Sequence, residues 1–304
     1  MKKSEIRKDY LLDKYVIIAP RRSKRPEQIK EASVVVTQSD PFTPDHLKKA
    51  KIIDSLGKGK NQIVVLKNLF PAVALNNKKA YGTQEVIIET PDPSVRLPDL
   101  PVEHIVRLLT MYMRRIKAAM ALPKVQYILC FKNEGASAGA SIQHEHSQIF
   151  AADFLPPQVN EEIRLLDEYQ KKYKSNFYSD LIKKEMKSRR RVYEDQNIAI
   201  FTPYASAYHY EVWIFTKRQV NSLTKLSKSE ILSVAKGIKM ILGKLKKVGL
   251  AYNYICRQVV SNRHQHFCLK IEPRGSVWAG VELDAGLIIN SVPPEEAAKY
   301  YRKK

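Results

Sequence analysis

A pattern that occurs twice along the chain constrains the fold more than any other feature of the sequence. A β-branched segment beginning Glu85-Val-Ile-Ile is followed by a helical segment, a further strand and the pair His144-Glu-His146. The same order returns with Glu211-Val-Trp-Ile and the pair His264-Gln-His266, at nearly the same separation. Self-similarity at a fixed spacing indicates that one supersecondary unit is repeated. We therefore predict two halves with one shared architecture.

Periodicity within the halves predicts an α+β fold. Apolar residues recur at helical spacing over 102–121, and Ser227 with Glu230 forms a capping-box pattern before another such helix. We expect two antiparallel half-sheets with flanking helices, one in residues 1–155 and one in residues 156–304. Strands are predicted over 10–20 (or a hairpin), 62–76, 84–90, 125–131, 198–203, 211–215, 252–256 and 265–271, and further helices over 160–187 and 294–301.

The segment from Asn133 to Ile149, NEGASAGASIQHEHSQI, carries the strongest chemical signal. Small residues let backbone N–H groups approach an anion, so its first part is a candidate phosphate loop. In an extended chain alternate residues share a face, so His144, His146 and Gln148 are expected to point into one site. An imidazole there can attack phosphorus while an amide donates to a phosphoryl oxygen. The alternative is a small-residue loop followed by an ordinary polar strand.

The pattern NxGAxxGxSxxHxHxQ in this segment resembles the galactose-1-phosphate uridylyltransferase-like proteins, a nucleotidyl-transferring branch of the histidine-triad superfamily. Other segments resemble the same family in order along nearly the whole chain: Arg22-Ser-Lys-Arg25-Pro, Lys67-Asn-Leu-Phe-Pro-Ala72, Gly82-Thr-Gln-Glu-Val-Ile87, Tyr210-Glu-Val-Trp-Ile214 and the closing residues 279–298. The tandem histidine-triad architecture of that family agrees with the repeat.

The resemblance implies an enzyme that works by double displacement. His146 would attack the α-phosphorus of a nucleoside diphosphate sugar and form a nucleotidyl-histidine, Gln148 would donate to the phosphoryl oxygens, and His144 would orient the site. Substrate- or nucleotide-binding residues are expected at Arg22, Arg25, Asn68, Phe70, Asn133, Ser137, Gly139 and Ser141. A solvated turn is the alternative for the arginines, and a buried ring is the alternative for Phe70.

Three functions are consistent with these residues. The first is uridylyl transfer from UDP-glucose to a hexose 1-phosphate such as galactose 1-phosphate, as in galactose metabolism. The second is an ADP-sugar or dinucleoside-polyphosphate phosphorylase with phosphate as acceptor, because Asp284-Ala-Gly-Leu287 replaces the family's hexose-binding glutamine and glycine offers no side-chain hydrogen bond. The third is a non-catalytic nucleotide- or RNA-binding protein, which would not need His146 and Gln148.

The metal positions of the family are only partly retained. The first half carries substituted residues at four of them, namely Asp40, Thr43, Gln84 and Pro93. A structural zinc needs four nitrogen or sulfur ligands, so we expect no zinc there. In the second half Glu162, His264 and His266 could form a weak metal site, although Arg257 stands at the remaining histidine position. Histidines that pack the second sheet are the alternative, and no cofactor is expected to be required.

Charge and hydropathy bound the partners and the location. The net charge of +21 favours phosphorylated substrates, and no RNA-recognition, zinc-finger or helix-turn-helix pattern accompanies it, so we do not expect a nucleic-acid partner. The basic start MKKSEIRKDY has no hydrophobic segment behind it, and no apolar run is long enough for a bilayer. The three cysteines are an odd number without close spacing, which is typical of free thiols in a reducing compartment, so we expect a cytoplasmic protein. The family resemblance implies a homodimer.

Overall fold

The computed structural model describes residues 3–24, 40–47, 50–260 and 264–303. Within these ranges it confirms the α+β class. The strands are β1 Glu5–Lys8, β2 Tyr15–Ile18, β3 Ile52–Leu56, β4 Ile63–Lys67, β5 Gly82–Ile88, β6 Tyr127–Glu134, β7 His146–Ala152, β8 Arg191–Glu194, β9 Ile198–Phe201, β10 Val212–Thr216, β11 Tyr252–Val259, β12 Cys268–Pro273 and β13 Ile288–Asn290. The helices are α1 Pro44–Leu47, α2 Val102–Met120, α3 Pro157–Tyr173, α4 Phe177–Met186, α5 Lys228–Lys247, α6 Gly280–Ala285 and α7 Pro294–Arg302.

The main sheet shows the predicted repeat directly. Among the described residues it has ten strands in the order β3-β4-β5-β7-β6-β11-β12-β10-β9-β8, and every neighbouring pair is antiparallel. β6 and β11 meet at the centre, from Tyr127 opposite Val259 to Glu134 opposite Tyr252. Outward from this pair the strands of the two halves follow the same sequence. The two predicted half-sheets therefore join edge to edge.

One face of this sheet is covered by α2 and α5, which also contact each other. Alternation along the strands directs residues such as Ile128 and Ile149 into this core, which takes side chains from both halves. The capping box of α5 is confirmed, because Ser227 Oγ accepts from Glu230 N at 3.2 Å and Ser227 N donates to Glu230 Oε2 at 2.7 Å. Because of this shared core, the boundary near residue 155 stays a prediction.

The opposite face carries the candidate site. In the second half it is covered by α3 and α4, which pack on residues such as Val259 and Phe215. In the first half the neighbouring strands β5 and β7 turn Gln84, His146 and Gln148 toward it, since residues of opposite parity enter the α2 core. Phe42 and Leu47 pack on Val64 and Ile88 of this half, so only part of its face is available for chemistry.

Two predicted elements were wrong in extent. The helix expected over 160–187 is divided into α3 and α4, because Lys174 adopts the left-handed conformation with φ 53° and ends the first helix. Asn160 lies inside α3, and it is α4 that has an asparagine N-cap, Asn176, whose side chain accepts from Ser179 N at 3.0 Å. The strand expected over 62–76 ends at Lys67, where a loop begins.

A small second sheet joins the two ends of the chain. β1 and β2 form a hairpin, and β13 pairs with β2 in parallel. Arg7 of β1 is buried and contacts Glu295 of α7 at 3.0 Å, which fastens the first residues to the closing helix. In the part of the chain that the structure describes, no helix combines the length and apolar character needed to cross a bilayer.

Candidate active site

His146 begins β7 and presents one defined ring nitrogen. Its Nδ1 lies 2.8 Å from the backbone oxygen of His144, and because a carbonyl only accepts, Nδ1 carries the proton and Nε2 keeps its lone pair. The residue is 7% exposed. Burial lowers the pKa of His146 to about 4, and the charge of Lys132 acts in the same direction. The ring is therefore a neutral imidazole with a fixed tautomer.

His144 does not share the strand with His146. β7 begins two residues later, so His146 and Gln148 lie on one face of this strand and His144 lies just before it, with the Phe42 ring against both histidines. The ring of His144 is tethered at both nitrogens, with Nδ1 2.7 Å from Asp40 Oδ2 and Nε2 2.6 Å from the backbone oxygen of Thr90. These contacts fix the segment whose carbonyl orients His146. An orienting role for His144 stays a prediction.

Gln148 is held by a residue that the sequence analysis considered only as a lost metal ligand. Its Oε1 accepts from Gln84 Nε2 at 2.8 Å, and Gln84 Oε1 accepts from the backbone N–H of Ala72 at 3.0 Å. The two glutamines lie on adjacent strands, with Gln84 opposite Phe150 in the register of β5 and β7. Alternation places them on one face, but the sequence alone does not reveal that β5 and β7 are neighbours.

The loop after β4 carries the predicted base-binding residues. Asn68 Oδ1 accepts from Phe70 N at 2.8 Å and shapes the turn. Phe70 is 91% exposed, so the alternative of a buried ring is wrong. An exposed aromatic ring on a loop that is bonded to the same glutamine pair is available for stacking on a base.

The candidate phosphate loop is a tight turn after β6. Gly135 has φ +84°, a short 3-10 turn covers Ala136–Ala138, and Gly139 is left-handed with φ 83°. Asn253 of β11 braces the loop by donating from Nδ2 to Ala138 O and to Asn133 Oδ1, each at 2.8 Å.

This arrangement gives the predicted loop residues different surroundings. Ser137, Gly139 and Ser141 are exposed, whereas Asn133 is half-buried against Asn253. The second half therefore supports the loop of the first, a contact that sequence reasoning missed. Asn253 lies in a strand that was predicted, but no sequence motif marked it as a residue of the site.

A buried charge cluster lies beneath His146. The Lys132 side chain is 0% exposed, and its Nζ lies 2.9 Å from Glu89 Oε2 and 3.7 Å from Glu134 Oε2. It also forms an ion pair with Glu145 and donates to the backbone oxygen of His146 at 3.3 Å. Burial opposes the charge on Lys132, but Glu145 and Glu89 raise its pKa. Burial, together with the charge of Glu145, raises the pKa of Glu134 to about 7.

The two predicted arginines are placed differently. Arg22 is exposed in the turn Pro20–Lys24. Arg25 lies outside the described residues. A contact of these side chains with substrate phosphate stays a prediction.

The predicted weak metal site in the second half is not assembled. Both carboxylate oxygens of Glu162 are occupied, Oε2 by Arg257 Nη2 at 2.5 Å and Oε1 by the hydroxyl of Tyr178 at 2.6 Å. His266 Nε2 lies 2.7 Å from Thr216 O, and His264 Nε2 lies 3.8 Å from Asp167. The residues that the structure describes contain no group of three or more His, Cys, Asp or Glu able to hold a metal. Glu162, His264 and His266 each contact other groups, which favours the alternative of histidines that pack the second sheet.

Comparison with known proteins gives concordant matches. The family model described as galactose-1-phosphate uridyl transferase, N-terminal domain, matches residues 54–156. An ADP-glucose phosphorylase of Arabidopsis thaliana is 28% identical over 98% of this chain and 92% of its own length. A galactose-1-phosphate uridylyltransferase of Thermotoga maritima is 28% identical over 98% of each.

Solved structures match to a similar extent. The crystal structure of an Arabidopsis thaliana ADP-glucose phosphorylase with bound ADP-glucose has a TM-score of 0.87 at 27% identity, covering 99% of both chains. A uridylyltransferase structure has a TM-score of 0.76 at 27% identity, covering 98% of this chain and 97% of that one. Both kinds of relative therefore share the fold along the whole described chain.

Proposed function

We propose that the chain, which belongs to the galactose-1-phosphate uridylyltransferase-like family of the histidine-triad superfamily, is a nucleotidyltransferase that works through a nucleotidyl-histidine. One observation carries the proposal. The bond from His146 Nδ1 to the backbone of His144 leaves Nε2 as a neutral nucleophile of fixed orientation, two residues from the Gln148 amide on the same strand face.

The chemical step follows from this geometry. His146 Nε2 supplies its lone pair to the α-phosphorus of a nucleoside diphosphate sugar, and a P–N bond forms. The bond from that phosphorus to the bridging oxygen breaks, and sugar 1-phosphate leaves with the electron pair. The proton stays on Nδ1, where the carbonyl of His144 stabilises the positive charge that the ring acquires. An oxygen of a second phosphate then attacks the phosphorus and releases the imidazole.

The first candidate reaction is uridylyl transfer from UDP-glucose to a hexose 1-phosphate, the activity named for the Thermotoga maritima relative. The second is phosphorolysis of an ADP-sugar. It is favoured by Gly286, which ends α6 with φ 62° and has no side chain to bond a sugar hydroxyl, and by the TM-score of 0.87 with an ADP-glucose phosphorylase. In both reactions His146 is the nucleophile and the intermediate is a nucleotidyl-histidine, which carries a uridylyl group in the first and an adenylyl group in the second.

The two reactions are separated by their acceptors. UDP-glucose with galactose 1-phosphate, and ADP-glucose with inorganic phosphate, are each mixed with the protein, and products are resolved by anion-exchange chromatography. UDP-galactose formation supports the first candidate, and ADP with glucose 1-phosphate supports the second. Turnover of neither pair, nor of diadenosine tetraphosphate with phosphate, would contradict the proposal.

The attack requires a neutral ring, which sets its pH dependence. The pKa of His146 is lowered to about 4 by burial, with Lys132 and His144 acting in the same direction and the His144 carbonyl and Asp40 opposing them. The neutral form exists above the pKa, so the rate of nucleotidylation should stay level down to about pH 5 and fall only near pH 4. Quenched-flow measurement at constant ionic strength tests this. A decline centred near the ordinary histidine pKa of about 6.5 would contradict it.

We also propose that neither half uses a metal cofactor. In the first half Asp40 is bonded to His144, and in the second a guanidinium occupies Glu162. Elemental analysis of purified protein should find zinc and iron well below one per chain, and EDTA should leave turnover unchanged. As a control, Arg257→His removes the cation and adds a ligand type, so its metal content should rise. Stoichiometric metal in the unaltered protein that is lost with activity would refute the proposal.

The expected homodimer and the cytoplasmic location stay predictions. The family resemblance is what supports the homodimer. Sedimentation-velocity measurement at several concentrations tests the assembly.

A further inference from the structure

We propose that Gln84 is a positioning residue that fixes which end of the Gln148 amide faces the substrate. The inference rests on the proposed function, because Gln148 is assigned there as the donor to the phosphoryl oxygens. A free glutamine can present either its NH₂ group or its carbonyl oxygen to a ligand. Toward an anionic phosphoryl group the first is attractive and the second is repulsive, so the orientation decides whether Gln148 assists the reaction.

The orientation follows from a backbone group. The N–H of Ala72 can only donate, so the Gln84 atom that lies 3.0 Å from it is the acceptor Oε1. This settles the amide of Gln84 and directs its Nε2 toward Gln148. A side-chain amide whose two ends are otherwise indistinguishable is thus fixed by one main-chain donor.

The hydrogen bond between the two glutamines then fixes the orientation of the Gln148 amide. Gln84 Nε2 can only donate, so the Gln148 atom 2.8 Å away is Oε1. The carbonyl end of Gln148 is thereby engaged, and its NH₂ group remains to donate to a phosphoryl oxygen. Since β5 and β7 are paired with Val86 opposite Gln148, the two side chains stay on one face at a constant separation.

The same contacts couple the amide to the base-binding loop. Ala72 closes the turn in which Asn68 Oδ1 accepts from Phe70 N. Displacement of this turn would remove the donor that orients Gln84. The position of the loop that carries Phe70 and the orientation of the Gln148 amide are therefore linked through Gln84.

Two near-isosteric substitutions test the role. In Gln84→Glu the carboxylate still accepts from Ala72 N but cannot donate, so Gln148 should turn its NH₂ group toward residue 84 and its oxygen toward the substrate. Gln84→Met removes the hydrogen bonds to Ala72 N and to Gln148 without reversing the Gln148 amide. The nucleotidylation rate constant should fall several-fold in Gln84→Met and about 100-fold in Gln84→Glu, the loss typical of one transition-state donor. The donor concentration for half-maximal rate should change little.

A double-mutant cycle distinguishes reorientation of the Gln148 amide from simple repulsion between the new carboxylate and the substrate. If Glu at position 84 acts through the amide, Gln84→Glu should have no further effect in a Gln148→Ala background. Equal losses in both backgrounds would overturn the inference, as would a Gln84→Glu variant no slower than Gln84→Met. The latter result is expected of a merely structural contact, because glutamate preserves shape better than methionine. Thermal midpoints of all variants confirm that each is folded.

Failure of the inference and failure of the proposed function give different results. If the unaltered protein forms a nucleotidyl adduct and the two Gln84 variants do not differ, only the positioning role is overturned. If the unaltered protein forms no adduct from UDP-glucose, ADP-glucose or diadenosine tetraphosphate, the function is overturned and the role of Gln84 in it is overturned as well.

Discussion

Replacing His146 with alanine is expected to lower nucleotidyl transfer by about 10⁴-fold or more, because no covalent intermediate can form without the imidazole. The ring is buried and bonded to the His144 carbonyl, so the variant should also lose some stability while remaining folded. Steady-state turnover and thermal unfolding of the same preparation measure the two effects. Measurable turnover near that of the unaltered protein would exclude His146 as the nucleophile.

The repeat supplies a matched control. His266 is the second histidine of the corresponding pair in the second half, and it is also 7% exposed. Its Nε2 is engaged by Thr216 O, and no glutamine follows it at the position equivalent to Gln148. His266→Ala should therefore lose comparable stability and keep turnover within a few-fold. If both variants lost activity equally, the effect would come from folding and not from chemistry.

Replacing Lys132 with methionine is expected to destabilise the protein by about 3–5 kcal/mol, the loss typical when one partner of a buried ion pair is removed. Methionine fills similar volume, so the main effect is electrostatic. It would leave Glu89 and Glu145 buried without their cation. Equilibrium unfolding in urea measures the difference.

The Lys132 prediction has its own internal checks. Lys236 is exposed on α5, and its replacement by methionine should change the free energy of unfolding by no more than about 0.5 kcal/mol. The destabilisation in Lys132→Met should shrink at lower pH, because protonation neutralises the uncompensated carboxylates. A loss below about 1 kcal/mol at pH 7 would contradict the assignment of Lys132 as the cation that balances the cluster.

Much of the fold could be predicted from local patterns. The duplicated order of strand, helix, strand and histidine pair predicted the two half-sheets, and apolar periodicity located α2 and α5 closely. The break between α3 and α4 was missed, because the left-handed residue that ends α3 is Lys174. Glycine usually occupies such a position and would have marked the turn in the sequence. The order of the strands in the sheet could not be predicted either, because pairing between distant segments produces no local sequence pattern.

The candidate site divides in the same way. His146 and Gln148 could be predicted because alternate residues of one strand share a face. Lys132 and Glu145 were missed, because charged residues are usually exposed and only the tertiary structure shows that these compensate each other. Gln84 and Asn253 act across strand pairs whose neighbours the sequence does not reveal. The ion pair of Arg257 with Glu162 was also missed, although it places a side-chain cation on the carboxylate that was considered as a metal ligand.

The most direct test of the covalent mechanism is intact-protein mass spectrometry after mixing the protein with UDP-glucose or ADP-glucose and no acceptor. The account predicts one nucleotidyl group per chain, located on His146 by peptide mapping and lost when hexose 1-phosphate or phosphate is added. The nucleotide of the adduct also identifies which candidate reaction the protein performs. Absence of an adduct with either donor or with diadenosine tetraphosphate, or its presence in His146→Ala, would contradict the account.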